Sequence, residues 1–161
     1  MNRHVRLGIN IDHVATLRNA RGGDTPKVIE AAKVVEESGA DLITVHVRED
    51  RRHINEKDLG NILDTVNIPV NLEIAANSEM IDIAINYHPK FVCFVPENRK
   101  EITTEGGLDV INNFKELNKV LKSITDTEIN VSIFIDPDKE QIKAVNDLGI
   151  STVEFLSLIH I

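Results

Sequence analysis

The stretch TPKVIEAAKVVEESGADLITVHVR, residues 25–48, carries the reading on which the fold turns. Val28, Ile29, Ala32 and Val35 recur at the spacing of one helical face, which predicts a helix over 26–38. Thr25 is placed to cap it, Pro26 suits its first turn, and Gly39 suits the residue just past its end. An apolar strand-like run follows at once over 41–47. Outward from this unit, further strand-like runs lie at roughly 5–11, 69–75, 90–95, 129–135 and 151–156. Helix-like stretches separate them. The clearest, 109–122, carries Val110, Ile111, Phe114, Leu117, Val120 and Leu121 as one stripe. Asp136, Pro137 and Gly149 repeat the cap, opening and stop of the first helix, and Asn55 and Asn77 are predicted caps near 56–66 and 78–87. Such alternation predicts an α/β fold with a parallel sheet. The nearly continuous hydrophobic strands predict cover on both faces. An open doubly wound sheet and a (β/α) barrel both satisfy this. The first strand runs into GINIDH (8–13), which lacks the glycine fingerprint of a dinucleotide site.

Composition narrows the functional classes. The chain has 161 residues, 42% hydrophobic and 27% charged, about one ordinary domain able to bury a core. A single cysteine, Cys93, sits in an apolar run and excludes an intramolecular disulfide or a cysteine-rich metal centre. No apolar run approaches the ~20 residues of a membrane span, and no secretory signal is visible at Met1–Gly8. The cytoplasm is the expected compartment, with no membrane partner. A net charge of −8 argues against a nucleic-acid partner. The charge is unevenly spread. Residues 1–52 hold nine Lys and Arg against eight Asp and Glu, and the remainder holds nine against eighteen. Seven of the eight arginines lie at or before Arg52, which suits recognition of a small phosphate or carboxylate.

Active sites of both candidate architectures gather at the carboxyl ends of the strands. The polar residues there are Asn10, Asp12 and His13 after the first run, His46 and Arg48 after the second, and Asn71 and Glu73 in the third. Pro96, Glu97 and the loop 103–107 follow the fourth, Asp136 the fifth, and Glu154 lies in the sixth. Asp12-His13 reads equally as a turn. His46 and Arg48 alternate onto one side of their strand, which favours a pocket over a satisfied core histidine. Glu73, flanked by Leu72, Ile74, Ala75 and Ala76, is suited to general-base work or to an ion pair with an arginine. The run Asp50, Arg51, Arg52, His53 reads as solvated surface, and Asp136 as a helix cap. The glycines of TTEGG could present backbone N–H groups to a phosphate. Asp12, His13, His46 and Glu73 could surround a divalent ion, although no metal motif of known spacing is present.

Six motifs together resemble the pyridoxine 5′-phosphate synthase family: NIDHVATLRNARG (10–22), ITVHVREDRRHI (43–54), NLEIA (71–75), FVPE (94–97), TTEGGLDV (103–110) and SIFIDPD (132–138). The resemblance runs from about Gly8 to Glu154. It implies a TIM (β/α)8 barrel, a large homo-oligomer, and no metal or organic cofactor. The implied reaction condenses 1-deoxy-D-xylulose 5-phosphate with 3-amino-2-oxopropyl phosphate to give pyridoxine 5′-phosphate, phosphate and water. Position by position, His46 and Glu73 match acid–base residues, and Glu154 a residue that stabilises a transition state. Asn10 and Arg21 match contacts to the aminoketone phosphate. Asp12, His13, Arg48, His53 and Thr103 match contacts to the deoxyxylulose phosphate.

After Glu154 the family continues with a His-Thr-Gly segment, whereas FLSLIHI follows here. A TIM barrel takes ~250 residues. The expectation is therefore one partial barrel domain over 1–161, with about six βα units and a C-terminal truncation, and with 156–161 outside the family pattern. A third acid–base histidine of the family has no counterpart, and His160 does not inherit its role. Such a chain is expected to associate through unpaired strand edges and to lack synthase activity alone. The alternatives are a metal-dependent lyase or aldolase of the same architecture and a non-catalytic protein that binds phosphate esters.

Overall fold

Among the described residues the alternation of periods is realised as six strands and six helices. The computed structural model describes residues 5–97 and 106–157, and these divide into two compact units between Glu73 and Ile74.

The first unit contains β1 (Gly8–Asn10), α1 (Asp12–Arg21), α2 (Val28–Glu37), β2 (Leu42–His46), α3 (Glu56–Thr65) and nearly all of β3 (Val70–Ile74). β1 pairs with β2 and β2 with β3, both parallel, in a register that sets Asn10 beside Thr44 and His46 beside Glu73. The ladder continues past the strand ends, where the Ile11 N–H donates to the Thr44 carbonyl and the Val47 N–H to the Glu73 carbonyl. Consecutive residues Val45, His46, Val47 and Arg48 are all buried. Both sides of β2 are therefore covered, as a parallel strand between helices requires. Ala15, Val28, Ala32, Leu59 and Ile62 supply the buried apolar helix positions.

Local chemistry explains most of the boundaries. Asn55 caps α3 in a reciprocal box: its side chain accepts from the Asp58 N–H at 3.0 Å, and the Asp58 carboxylate accepts from the Asn55 N–H at 3.2 Å. Gly39, at φ +84°, follows α2 in the left-handed conformation that stops a helix. The start of α2 differs from the sequence reading. Lys27 is the N-cap, without a side-chain cap bond, and Thr25 and Pro26 precede it. The register of α2 is set by burial of Val28 and Ala32, which outweighs the local preference of Thr25. Helix α1 was hidden in the sequence, because its mean polarity is high and its only buried residues are Asp12 and Ala15.

The second unit holds α4 (Ser78–Tyr87), β4 (Phe91–Phe94), α5 (Val110–Ile124), β5 (Asn130–Ile135), α6 (Lys139–Asp147) and β6 (Val153–Phe155). β4 pairs with β5 and β5 with β6, again parallel. Asn77 caps α4, accepting from the Met80 N–H at 3.0 Å. Val110, Leu117 and Ile124, seven residues apart, form the buried edge of the α5 stripe, and Cys93 is buried within β4. The cap of α6 is Asp138, which accepts from Glu140 and Gln141 N–H groups; Asp136 and Pro137 lie ahead of it. Asp136 instead accepts from the Gly107 N–H at 3.0 Å. Gly107 is required there, since a Cβ would stand 2.0 Å from the Asp136 nitrogen.

Replacing Asn55 by Ala removes one half of the capping box. Urea unfolding should show a loss of about 1 kcal/mol in stability with an unchanged denaturant slope.

Candidate active site at the ends of the first three strands

The site is built around Asp12, the first residue of α1, which is only 6% exposed. A buried carboxylate needs hydrogen bonds on both oxygens. Asp12 Oδ1 accepts from the His46 backbone N–H at 2.7 Å, and Oδ2 from Asn10 Nδ2 at 2.8 Å. Asn10 Oδ1 in turn accepts from the Asp12 N–H at 2.9 Å. One carboxylate thus ties the end of β1, the start of α1 and the end of β2 together.

The register of β2 with β3 then sets His46 against Glu73. Nδ1 of His46 is 3.8 Å from Oε2 of Glu73, both side chains are largely buried, and the contact becomes an ion pair when the imidazole is protonated. The geometry suits an exchange of protons between imidazole and carboxylate across a short gap, directly or through a bound molecule. Single ligand atoms of Asp12, His46 and Glu73 all lie within 4.8 Å of one another. Of the residues that could surround a cation, these three come together, whereas His13 is exposed and turns to His53.

A second layer of the site comes from the loop after β2. Arg48 is 3% exposed, with its Nε 3.4 Å from Asp50 Oδ1. The charged run at 50–53 is not loose surface. The Arg51 guanidinium donates to the carbonyls of Arg48 and Glu49 and to Glu56 Oε1, and Arg51 itself takes a left-handed φ of +52°. Arg52 donates to Asp50 at 2.6 and 2.9 Å and holds that carboxyl down to about 2. This folded loop carries His53 inward to 9% exposure. The His13 and His53 rings meet edge to face with centroids 5.6 Å apart. Helix α1 fixes the loop from the other side: Asn19 Nδ2 donates to the carbonyls of Arg52 and His53, and Arg18 makes a bidentate pair with Asp58 at 2.6 and 2.8 Å. Burial lowers the His53 pKa from its ordinary value of 6.5; the Asp12 carboxylate opposes this, while His46, His13 and Arg48 reinforce it.

Asn10, Asp12, His46 and Glu73 are therefore brought together, with Arg48, His13 and His53 in the adjoining loop and helix. Arg21 is not in that cluster. It is exposed at the far end of α1, nine residues from Asp12, or about 14 Å along the axis. Glu154 is exposed on β6 in the second unit, and Thr103 lies outside the described residues. Sequence reasoning missed Thr16, whose hydroxyl is 2.6 Å from Nδ1 of His53. Its position one turn after Asp12 was the available signal, but it required recognising α1 as a helix.

The family model described as pyridoxal phosphate biosynthesis protein PdxJ matches residues 7–158, and the chain belongs to that family. The pyridoxine 5′-phosphate synthase of Rhodospirillum rubrum is 50% identical over 154 residues, which cover 96% of this chain and 62% of the relative. The enzymes of the same name from Idiomarina loihiensis and Aquifex pyrophilus are each 51% identical over 150 residues, covering 93% of this chain and 62% and 64% of theirs. The chain thus spans somewhat less than two thirds of the length of these relatives. Among solved structures, two of mandelate oxidase superpose on 93% of this chain with TM-scores of 0.66 and 0.64 at 13% and 12% identity, covering 55% of their own chains. That likeness is one of fold alone. Among the described residues no helix is long and apolar enough to cross a membrane.

The lowered His53 value sets a pH window. The unfolded state binds the proton that the folded state resists, so stability is intact above about 6.5 and falls as the pH drops from there through the lowered folded value. Unfolding free energies measured by urea from pH 5 to pH 8 should rise with pH up to about 6.5, and His53→Gln should remove part of that rise.

Proposed function

We propose that this chain carries the deoxyxylulose-phosphate half of a pyridoxine 5′-phosphate synthase site, on a TIM barrel of which its six βα units form part. The observation that carries the reading is the pairing of His46 with Glu73 at 3.8 Å beside the buried Arg48. The reaction joins 1-deoxy-D-xylulose 5-phosphate to 3-amino-2-oxopropyl phosphate and yields pyridoxine 5′-phosphate, phosphate and water. Imine formation, loss of water, loss of phosphate and ring closure each move protons. An imidazole and a carboxylate at this separation can pass them near neutral pH.

In this reading His46 and Glu73 do the acid–base work, and Glu154 stabilises charge in a transition state. Asp12, His13, Arg48, His53 and Thr103 hold the deoxyxylulose phosphate, and Asn10 and Arg21 the aminoketone phosphate. Asp12 has a dual part, since the carboxylate that would face the substrate also holds the His46 backbone. Holding both substrates in one cleft supplies a large share of the rate. The family's ordinary setting, a cytoplasmic homo-oligomer working without metal or organic cofactor, is proposed with it. The clustering of Asp12, His46 and Glu73 supports a second reading, a metal-dependent lyase or aldolase. Activity lost on chelation and restored by a divalent cation would favour that one.

Calorimetric titration of this chain with 1-deoxy-D-xylulose 5-phosphate tests the leading reading. Binding is expected, and Arg48→Ala should weaken it by at least tenfold without loss of the folded circular-dichroism spectrum. In a chimera carrying the C-terminal part of the Rhodospirillum rubrum enzyme that this chain does not span, Glu73→Gln should abolish condensation and leave binding of the ester near its original strength. A Glu73→Gln chimera that still turns over both substrates, or a chain that ignores the ester, would overturn the proposal.

A further inference from the structure

Thr16 has no titratable group, yet its hydroxyl sits where three polar atoms converge. Oγ1 is 2.6 Å from Nδ1 of His53, 3.3 Å from the Asp12 carbonyl oxygen and 3.5 Å from Nδ1 of His13. A hydroxyl has one proton to give. The bond to the Asp12 carbonyl is the long back-bond that threonine makes to the residue four before it in a helix. The contact to His53 is far shorter, at the separation of a strong O–H···N bond rather than a stretched one. That separation is below the usual N–H···O range and within that of hydroxyl donors, which favours the hydroxyl as donor and His53 Nδ1 as acceptor over the reverse bond; the imidazole tautomer decides between the two.

The same helix face holds the rest of this histidine. Asn19, three residues after Thr16 and hence its neighbour on the helix surface, donates to the His53 carbonyl at 3.0 Å. The His13 ring closes the edge of the imidazole. Backbone, ring plane and one ring nitrogen of His53 are thus all fixed from α1. A neutral imidazole whose Nδ1 accepts a hydrogen bond must carry its proton on Nε2. A buried ring with Arg48, His46 and His13 around it is also held in the neutral state, chiefly by its burial.

We propose that Thr16 is a positioning residue for His53: its hydroxyl donates to Nδ1 and fixes the ring proton on Nε2, where a neutral imidazole can donate to an anionic phosphate ester. This rests on the reading that the site takes such an ester, and it adds the group that prepares His53 to bind one. It also gives α1 a function beyond carrying Asp12 and His13.

The experiment compares this chain with Thr16→Val, which keeps the branched shape and loses the hydroxyl, and Thr16→Ser, which keeps the hydroxyl. Long-range ¹H–¹⁵N spectra of the histidine rings at pH 7.5 report each nitrogen's protonation. The unmodified chain should show His53 protonated at Nε2 alone. In Thr16→Val its Nδ1 signal should move downfield as the donor is lost, and Thr16→Ser should restore it. A His53 protonated at Nδ1 in the unmodified chain, or ring signals unmoved by Thr16→Val, would overturn the proposal. Titration with 1-deoxy-D-xylulose 5-phosphate is the second arm. Thr16→Val should bind about tenfold more weakly, the effect of one lost charge-assisted hydrogen bond, and Thr16→Ser within about twofold of the original. Equal binding by Thr16→Val would remove the positioning role. Should the unmodified chain bind no ester, the reading of the site fails, while the nitrogen signals still decide what Thr16 does.

Discussion

The arrangement at the strand ends depends on one buried carboxylate. Asp12 is taken out of water at the first turn of a helix, and both its oxygens are satisfied by groups on neighbouring elements, the His46 N–H and the Asn10 amide. The penalty for burying a charge without partners is large, so this network holds as a unit or not at all. Its consequence is geometric. The end of β2 cannot drift from the start of α1, and His46 leaves its strand at a fixed place. The parallel register with β3 then brings Glu73 beside it. The short distance between this imidazole and this carboxylate thus comes from backbone pairing rather than from flexible side chains.

Around this centre the charges are arranged in layers. The carboxyl groups of Asp12 and Glu73 both meet His46, one at its backbone N–H and one at its ring. The loop is itself over-determined: Arg51 and Arg52 spend their guanidinium donors on loop carbonyls and on Asp50 and Glu56. Arg48, buried at the base of the loop, is the cation that the cluster keeps close to the imidazoles. The buried Arg48 and the half-buried Arg51 and Arg52 sit within four residues of each other, and burial separates them more clearly than sequence does.

How far the sequence could be read depended on the kind of signal. Strands were legible because they are nearly continuous apolar runs, and all six were found to within a few residues. Asn55 and Asn77 were legible as caps because each stands directly before an amphipathic helix. Thr25 and Asp136 looked equally good, yet neither caps. In α2 the burial of Val28 and Ala32 shifted the helix start to after Lys27, and Asp138 stood closer to the first turn of α6, which released Asp136 to hold Gly107. Helix α1 left little trace in the hydrophobic pattern, because it buries a polar network and one alanine. Reading 50–53 as solvated surface held for Asp50 and in part for Arg51 and Arg52, but not for His53, which the hydrogen-bonded charges of the loop carry inward.

The residues by themselves determined the α/β class, the parallel pairing and the set of polar groups at the strand tips, since all of these follow from the spacing of apolar residues along a chain. The motifs were enough to suggest the family. Which of those polar groups meet was settled only by tertiary structure. His46 and Glu73 lie 27 positions apart and touch because two strands pair in one register; Thr16 and His53, 37 apart, touch because a helix packs on a loop. Contacts of that kind arise from the packing of whole elements, and no local preference encodes them.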